Sequence, residues 1–403
     1  MKRRDLVRLA GGAACGLAMG RLPGAGIVGG GLAGEPAGEA LAGGPAGGPL
    51  PLADADHRGQ EARRGLLAPR RSPFFTSQGG GRVRCDLCPH SCVLAPGERG
   101  RCRVRENRDG RGYTLVHGNP CTVQLEPVER KPFYHVFPGS RSFSVATAGC
   151  NLECGFCEVW DTALVAPEDV YAFDLPADAI VPLAQQAGAR SVAYTLGEPV
   201  AYFEYMAAIG ARAREAGLLS LVHSAGFINA APLERLCAVI DGANIDLKSF
   251  DPSFYRRVCG GELGPVLETL TTLRSAGVHL EVTNIVIPGL NDDVGMIREM
   301  CAWVVEELGR DTPLHFSRFY PLYRLANLPP TPVSTLDRAR AAALESGLRH
   351  VYVAKVPGHE GEDTFCHGCG RVVISRVGFM IEAVELDDGR CRFCNAAIAG
   401  IWD

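Results

Sequence analysis

The sequence lacks both a long apolar run and a strong excess of charge. None of its apolar stretches reaches the roughly 18 uninterrupted residues of a membrane-spanning helix, which excludes a polytopic membrane protein. The formal net charge of −4 gives no electrostatic reason to expect nucleic acid as a partner. Hydrophobic residues make up 46% of the 403 residues, so the chain is not disordered throughout. At roughly 150 residues per domain, this length allows two or three folded units.

Cysteine, in contrast, is abundant, with sixteen residues, most of them in three closely spaced groups. The first group has the pattern C-x2-C-x3-C-x9-C and consists of Cys85, Cys88, Cys92 and Cys102. The second has the pattern C-x3-C-x2-C and consists of Cys150, Cys154 and Cys157. The third has two C-x2-C pairs, Cys366 with Cys369 and Cys391 with Cys394. Such spacings gather thiolates around one point, which favours metal or cluster binding over disulfides. The scattered cysteines are interpreted as buried apolar residues: Cys15, Cys121, Cys237, Cys259 and Cys301.

Composition divides the chain into five parts. Residues 1–20 place Arg3-Arg4 ahead of a short apolar stretch, which is typical of a twin-arginine export signal. Residues 21–80 are rich in Gly, Pro, Ala and Arg and are predicted to form a disordered linker. The remaining parts are an N-terminal metal-binding segment with four cysteines at 81–140, a barrel at 141–355 and a C-terminal zinc-ribbon-like module at 356–403.

Within residues 141–355, short apolar runs alternate with amphipathic segments. The predicted strands are Ser142–Thr147, Ser191–Thr195, Leu219–His223, Ala243–Asp246, His279–Val286, Leu314–Arg318 and His350–Val353. The predicted helices are Ala177–Gly188, Tyr202–Gly217, Val266–Gly277, Asp292–Leu308 and Thr335–Ser346. This alternation predicts an α/β fold with a parallel sheet, closed completely or partially into a (β/α) barrel. Barrels of this kind carry their chemistry on loops at the carboxyl ends of the strands.

The second cysteine group directly follows the first predicted barrel strand. Three cysteines can ligate three irons of a [4Fe–4S] cluster, which leaves the fourth iron open to a substrate or cofactor. The structural alternative is a zinc site completed by a distant ligand. The pattern C-x3-C-x-aromatic-C, with Phe156 before the last cysteine, resembles the signature of the radical S-adenosylmethionine (radical SAM) superfamily.

Other segments extend this resemblance along the barrel. Tyr194-Thr-Leu-Gly-Glu-Pro199 resembles the family's Gly-Gly-Glu-Pro motif, with Leu196 in place of the first glycine. Asn244–Lys248 resembles the fourth-strand segment that contacts the SAM ribose and carboxylate, and Val286–Asn291 resembles the segment beside the adenine. His223–Phe227 occupies the position of a third-strand segment in relatives.

The resemblance implies a [4Fe–4S] cluster on Cys150, Cys154 and Cys157, which are the catalytic candidates. It implies SAM contacts from Phe156, Gly197, Glu198, Pro199, Ser224, Asp246, Lys248 and Ile287. The implied reaction is reductive cleavage of SAM to methionine and a 5′-deoxyadenosyl radical, which abstracts hydrogen from an unknown substrate. The electron would come from a donor of the flavodoxin or ferredoxin type.

A narrower resemblance covers roughly Arg84 to Asp403. The first cysteine group, Lys131–Ser140, His315–Phe319 and Val356–Gly361 resemble the radical SAM enzyme of the AmmeMemoRadiSam system. That family is related to the activating enzymes of pyruvate formate-lyase, and its name implies AMMECR-type and Memo-type protein partners. Glu158 departs from the Gln that is more frequent in relatives.

The other sites are predicted from ligand chemistry. The first cysteine group would hold zinc or an auxiliary [4Fe–4S] cluster, and the C-terminal group would hold zinc as a structural ribbon. Substrate contacts are predicted from residues near the end of a late barrel strand: His315, Arg318 and Tyr320.

Two alternative functions remain open at this point. The first is an activase that installs a glycyl radical in a partner protein, as pyruvate formate-lyase activating enzyme does. The second is a noncatalytic iron–sulfur or zinc protein that senses redox state or acts as a scaffold. Because SAM and low-potential reductants are cytoplasmic, we predict a cytoplasmic location, with the periplasm as the alternative if the Arg3-Arg4 signal is used.

Overall fold

The computed structural model describes residues 61–402. The predicted export signal at 1–20 and most of the predicted linker lie outside the described residues. Among the described residues, no helix combines the length and the apolar character needed to cross a membrane.

The described part of the chain starts with short strands that belong to small antiparallel sheets. They are β1 (Arg63–Arg64), β2 (Arg70–Arg71), β3 (Phe75–Gly79), β4 (Arg82–Cys85), β5 (Val93–Leu94), β6 (Arg105–Arg108) and β7 (Arg111–Thr114). One sheet has the order β3-β4-β5 and another the order β2-β7-β6.

These strands correct the predicted linker boundary at residue 80, because three of them lie before it. The first strands are short and largely exposed, so they have no apolar periodicity to identify them. These strands form because they pair with residues far away in the sequence. Arg70, for example, pairs with Thr114 in β7. Phe74 then packs edge-on against Phe203, with ring centroids 4.9 Å apart.

The central region alternates strands and helices, as predicted. Its elements are β8 (Thr122–Pro127), β9 (Arg141–Ala146), α1 (Trp160–Ala163), β10 (Tyr171–Ala172), α2 (Ala177–Gln186), β11 (Ser191–Tyr194), α3 (Phe203–Glu215), β12 (Leu219–Ser224), α4 (Ala230–Cys237), β13 (Gly242–Asp246), α5 (Pro252–Phe254), α6 (Leu263–Ser275), β14 (His279–Val286), α7 (Val294–Trp303), β15 (Leu314–Arg318), α8 (Val333–Glu345) and β16 (Val351–Ala354). Single π-helical turns at Tyr255–Cys259 and Val304–Leu308 extend α5 and α7.

Eight of these strands form one sheet in the order β8-β9-β11-β12-β13-β14-β15-β16. The seven strands from β9 onward run parallel, and β8 joins the edge antiparallel to β9. The two outermost strands are therefore β8 and β16, so the barrel is partial rather than complete. Val145, Val282 and Phe316 are fully buried, as apolar residues of a sheet covered on both faces should be.

The C-terminal module contains β17 (Thr364–Phe365), β18 (Val372–Val377), β19 (Met380–Val384), β20 (Leu386–Asp387) and β21 (Arg390–Cys391). The first three strands form an antiparallel sheet, and the last two form a hairpin. The chain end is fixed to the segment before β9, because the Ile401 amide donates to the His135 carbonyl at 2.8 Å. Arg376 is buried and donates to the Tyr134 carbonyl at 2.8 Å.

Candidate active site at the carboxyl ends of the strands

The loop that carries the second cysteine group begins directly after β9. Neighbouring backbone holds it in place: the Glu153 amide donates to the Cys259 carbonyl at 2.8 Å, and the Gly155 amide donates to the Val258 carbonyl at 2.9 Å. The Asn151 side chain donates to the Phe227 carbonyl at 2.7 Å. Hydrogen bonds from several neighbouring segments therefore hold the loop in place.

The three thiols of this loop lie in different environments. Burial raises the pKa of Cys150 well above its usual value, and Glu198 adds to the effect. Burial also raises the pKa of Cys157, to about 12. For Cys154 a hydrogen bond from Cys259 lowers the pKa, with help from Lys248. Sequence reasoning classed Cys259 only as a buried apolar residue and missed this contact.

The spacing of these sulfurs bears on what they can hold. A single zinc ion draws its thiolates together at about 2.3 Å from the metal. Within residues 61–402, the groups whose ligand atoms all lie within 4.8 Å of one another do not include this trio. The wider spacing fits a polynuclear cluster, and three ligands match a [4Fe–4S] cluster with one open iron.

Glu198 follows β11 and is almost completely buried, with 3% of its surface exposed. One carboxylate oxygen accepts from the Ser224 hydroxyl at 2.6 Å and from the Val200 amide at 3.0 Å, while the other accepts from the Ala225 amide at 2.9 Å. Burial raises the pKa of Glu198, although these hydrogen bonds oppose the shift. Ser224 thus orients Glu198 through direct contact.

Leu196, which takes the place of a glycine in the motif that the sequence resembles, lies in the left-handed region with φ of 58°. Glycine adopts this conformation without the steric cost that a Cβ brings, so leucine is strained at this position. Gly197 follows it, and a Cβ there would lie 3.2 Å from the Thr147 carbonyl oxygen. The Gly197–Pro199 turn therefore lies directly against the residues that lead into the cysteine loop.

Asp246 ends β13 and lies between two nitrogen donors. Its carboxylate accepts from His223 Nε2 at 2.9 Å and from Lys248 Nζ at 2.8 Å. Burial by itself would raise the pKa of Asp246, but Lys248 and His223 together hold it below its usual value. Sequence reasoning missed His223, although its position next to Ser224 at the end of β12 was available as a signal.

Two apolar candidates line the same region. Phe156 is buried, and Lys248 Nζ lies 5.7 Å from the centre of its ring. Ile287 follows β14 and is fully buried. The Asn291 side chain fixes this turn, because it accepts from the Ile287 amide at 2.6 Å and donates to the Lys248 carbonyl at 2.7 Å.

Arg318 and Tyr320 lie at and just beyond the end of β15. Arg318 is half-buried, and its Nε donates to the Thr331 carbonyl at 2.9 Å. Within residues 61–402, no carboxylate pairs with its guanidinium. The Tyr320 hydroxyl donates to the Lys355 carbonyl at 3.2 Å, and the Lys355 ammonium pairs with Glu158 beside Cys157. This chain of contacts joins Tyr320 to the cysteine loop.

His315 occupies a different place from the one predicted. It lies near the start of β15, and its Nε2 bonds to Glu281 at 2.6 Å. Its ring stacks on Tyr352 with centroids 5.0 Å apart and meets Tyr134 edge-on at 4.8 Å. The prediction that His315 contacts substrate is therefore wrong, because its side chain belongs to a buried network three residues before the strand end.

The C-terminal cysteines form a compact group. The four sulfurs all lie within 4.8 Å of one another, with Cys366 and Cys394 at 3.5 Å and Cys369 and Cys391 at 3.8 Å. These distances are close to the edge of a tetrahedron of thiolates around zinc, about 3.8 Å for a zinc–sulfur distance of 2.3 Å. The first cysteine group differs, because its four residues line a cavity beside Asn151.

The fold and the cysteine loop together define an iron–sulfur protein of the radical SAM class. A profile of the radical SAM superfamily matches residues 144–301, the range from the first parallel strand through most of α7. An uncharacterized protein of Methanocaldococcus jannaschii is 38% identical over 331 residues, which are 82% of this chain and 98% of that protein. The chain therefore belongs to the radical SAM superfamily.

More distant similarities cover smaller parts of the chain. GTP 3′,8-cyclase of Rhodopseudomonas palustris is 24% identical over 260 residues, which are 58% of this chain and 72% of that enzyme. Among solved structures, a radical SAM methyltransferase from Sphaerobacter thermophilus has a TM-score of 0.44 at 14% identity, over 74% of this chain and 81% of that one.

Proposed function

We propose that this protein reductively cleaves SAM at a [4Fe–4S] cluster held by Cys150, Cys154 and Cys157, in the manner of the AmmeMemoRadiSam enzymes. When bound, the cluster and SAM supply a 5′-deoxyadenosyl radical for hydrogen abstraction from a substrate that is still unidentified. The observation that supports this proposal is the position of the candidate residues. They occupy the carboxyl ends of five neighbouring parallel strands, from β9 to β14.

The polar residues around the cysteine loop have distinct roles in this proposal. Glu198 presents a buried carboxylate, already oriented by Ser224 and Ala225, to the amino group of SAM. Asp246 is kept ionised by Lys248 and His223 and accepts hydrogen bonds from the ribose. Because these groups are fixed by the protein before binding, little reorganisation is needed when SAM enters.

The apolar and cationic residues complete the pocket. Phe156 and Ile287 exclude water from the adenosyl side, which protects a reactive intermediate from the solvent. Arg318 has a guanidinium without a carboxylate partner in residues 61–402, so it is the candidate to bind an anionic substrate group. Tyr320 is connected through Lys355 to Glu158, the residue that follows Cys157.

The proposal has consequences outside the pocket. The cluster requires a low-potential electron, for which we propose a donor of the flavodoxin or ferredoxin type in the cytoplasm. We also propose zinc on the C-terminal cysteines, because their compact spacing matches a closed tetrahedral site. AMMECR-type and Memo-type proteins are the proposed partners.

Anaerobic reconstitution of the full chain with iron and sulfide, followed by dithionite and SAM, tests the function. We expect 5′-deoxyadenosine and methionine to form. Cys150→Ala should form neither, whereas Cys237→Ala, which changes a half-buried cysteine at the end of α4, should behave like the parent. Absence of 5′-deoxyadenosine from a reconstituted parent protein would support the noncatalytic iron–sulfur alternative.

A further inference from the structure

The fold brings the first cysteine group, Cys85, Cys88, Cys92 and Cys102, together although Cys85 ends β4 and Cys102 lies in the loop between β5 and β6. The Cys85 amide donates to the Cys92 carbonyl at 2.9 Å, which closes the turn containing Cys88. Cys102 approaches from the next loop, where a Cβ on Gly100 would lie 3.7 Å from the Cys92 sulfur and 3.8 Å from that of Cys102. All four are free thiols.

The spacing of these four sulfurs differs from that of the C-terminal group. Within residues 61–402, neither the four nor any three of them belong to a group whose ligand atoms all lie within 4.8 Å of one another. The C-terminal cysteines meet that condition. The first group thus has the wide spacing of the Cys150 trio rather than the spacing of a zinc tetrahedron.

The space between the sulfurs also argues against a single ion. The four cysteines line a cavity of about 20 Å³, closed by apolar groups that include Leu87, Val200 and Ala201. Four thiolates around one zinc ion are nearly in contact and leave no room for a water-sized sphere between them. A cavity of this kind, lined by all four cysteines, fits a polynuclear centre.

A buried cation lies beside the cavity. Arg105 is 2% exposed, forms a bidentate ion pair with Glu204 at 2.7 and 2.9 Å, and lines the cavity together with the four cysteines. Its Nε has no hydrogen-bond partner among the described residues. A buried positive charge beside ligand sulfurs stabilises an anionic metal–thiolate centre and influences its reduction potential.

The cavity also lies next to the catalytic loop. Asn151, which follows Cys150, and Val200 and Ala201, which follow the Gly197–Pro199 turn, form part of its wall. Gly149 has φ of 99°, and a Cβ there would lie 2.8 Å from the Cys102 carbonyl oxygen. The backbones of the two cysteine groups are therefore in direct contact.

We propose that Cys85, Cys88, Cys92 and Cys102 hold a second [4Fe–4S] cluster, fully ligated by protein and separated from the Cys150 site by one layer of backbone. The proposal goes beyond the proposed function, because iron at the first group does not require SAM cleavage at the second. A fully ligated cluster at this position is suited to passing an electron to the catalytic site rather than binding SAM itself.

The decisive sample is a Cys150→Ala/Cys154→Ala/Cys157→Ala variant of the full chain, purified and reconstituted anaerobically. We expect about four irons and four sulfides per chain, and a cubane EPR signal after dithionite reduction that does not change when SAM is added. Adding Cys85→Ser and Cys88→Ser to this variant should remove the iron, whereas adding Cys237→Ala should not.

The proposal would be overturned if the triple variant contained zinc but no iron, and if replacing Cys85 and Cys88 in it lowered the zinc content further. If the triple variant does not fold, the parent protein gives the same answer. The parent should bind about eight irons and the Cys85→Ser/Cys88→Ser variant about four. Equal iron in these two proteins would also overturn the proposal, whatever the outcome of the SAM cleavage assay.

Discussion

The C-terminal cysteine group and the cysteines of the catalytic loop differ in how closely their sulfurs are packed. The C-terminal sulfurs are nearly in contact, at 3.5 and 3.8 Å in two pairs, and a short hairpin and a small sheet hold them. The catalytic loop offers three sulfurs at wider spacing, surrounded by ionisable side chains from neighbouring strands. Closed sites of four ligands are typically structural, while catalytic sites keep a position free.

The difference also appears in the surroundings of each group. The catalytic loop has Glu198, Asp246 and Lys248 close by, each in a defined ion pair or hydrogen bond. The C-terminal group has mainly its own backbone amides, such as the Gly368 amide that donates to the Cys366 sulfur at 3.3 Å. The polar groups around the ligands therefore distinguish a reactive site from a structural site more clearly than the number of cysteines does.

The largest effect is expected from Cys154→Ala. Replacement of even an outer-shell partner of a metal ligand typically costs 10–100-fold in activity, so loss of a ligand should reduce 5′-deoxyadenosine formation by more than about 100-fold. Zinc at the C-terminal module should be unchanged. Loss of that zinc together with activity would contradict the separation of the two sites, and metal analysis of the variant measures it.

Cys369→Ala is the converse change. Loss of a structural metal is among the more costly mutations, and we expect a decrease of about 2–4 kcal/mol in the free energy of unfolding. Zinc content and denaturant unfolding of the module would measure this effect. Formation of 5′-deoxyadenosine per bound cluster should remain close to that of the parent; a loss as severe as that of Cys154→Ala would show that the module takes part in the chemistry.

Glu198→Gln keeps the shape of the side chain but removes its charge. Because a hydrogen bond to a charged group is worth about 1.5–3 kcal/mol, the KM for SAM should rise by about 10- to 100-fold. Iron content should be unchanged. Glu215→Gln, at an exposed position near the end of α3, is the matched control. An unchanged KM in Glu198→Gln would exclude this carboxylate from SAM binding.

Asp246 predicts a specific pH dependence of stability. Its pKa in the folded state is held below the usual value of 3.8, so its stabilising contribution is complete above that pH and is lost as the pH falls towards the folded-state pKa. In Asp246→Asn this part of the acid destabilisation should be absent, which would flatten the curve by up to about 1 kcal/mol per pH unit below pH 4. Unfolding of the metal-free chain at several pH values measures the slope; identical slopes would contradict the ionised pair.

Leu196→Gly should have the smallest effect. Relief of the left-handed strain at φ of 58° is partly offset by the greater entropy of glycine in the unfolded chain. We expect a net stabilisation of less than about 1 kcal/mol and unchanged SAM cleavage. Leu290→Gly, at an exposed position without positive φ, should be destabilising or neutral; equal effects of the two changes would show that the strain at Leu196 has no cost.

Sequence periodicity predicted the parallel strands well. The predicted barrel strands agree with β9 and β11 to β16 within about one residue at most ends, because buried parallel strands form continuous apolar runs between helices. The strands before residue 80 were not predicted. They are short and exposed, and the partners that order them lie far away in the chain.

Site residues that belong to a sequence motif were predictable. Contacts that depend on three-dimensional packing were not. Glu198 and Asp246 lie beside the cysteine loop, as their motifs implied. His315 was misplaced although the predicted strand Leu314–Arg318 already put it next to the strand start, and its contact with Glu281 depends on packing between strands. Cys259 approaches Cys154 only through the π-helical turn at Tyr255–Cys259, which apolar periodicity does not reveal.

The most direct test of the central claim is the low-temperature EPR spectrum of the dithionite-reduced Cys85→Ser/Cys88→Ser variant, recorded with and without SAM. This variant removes two ligands of the first cysteine group, so the catalytic loop is the only proposed cluster site that stays intact. If the Cys150 trio leaves one iron open, SAM should shift the g values of the cluster signal. An identical spectrum with and without SAM, from a protein that contains about four irons, would contradict an open, SAM-binding cluster.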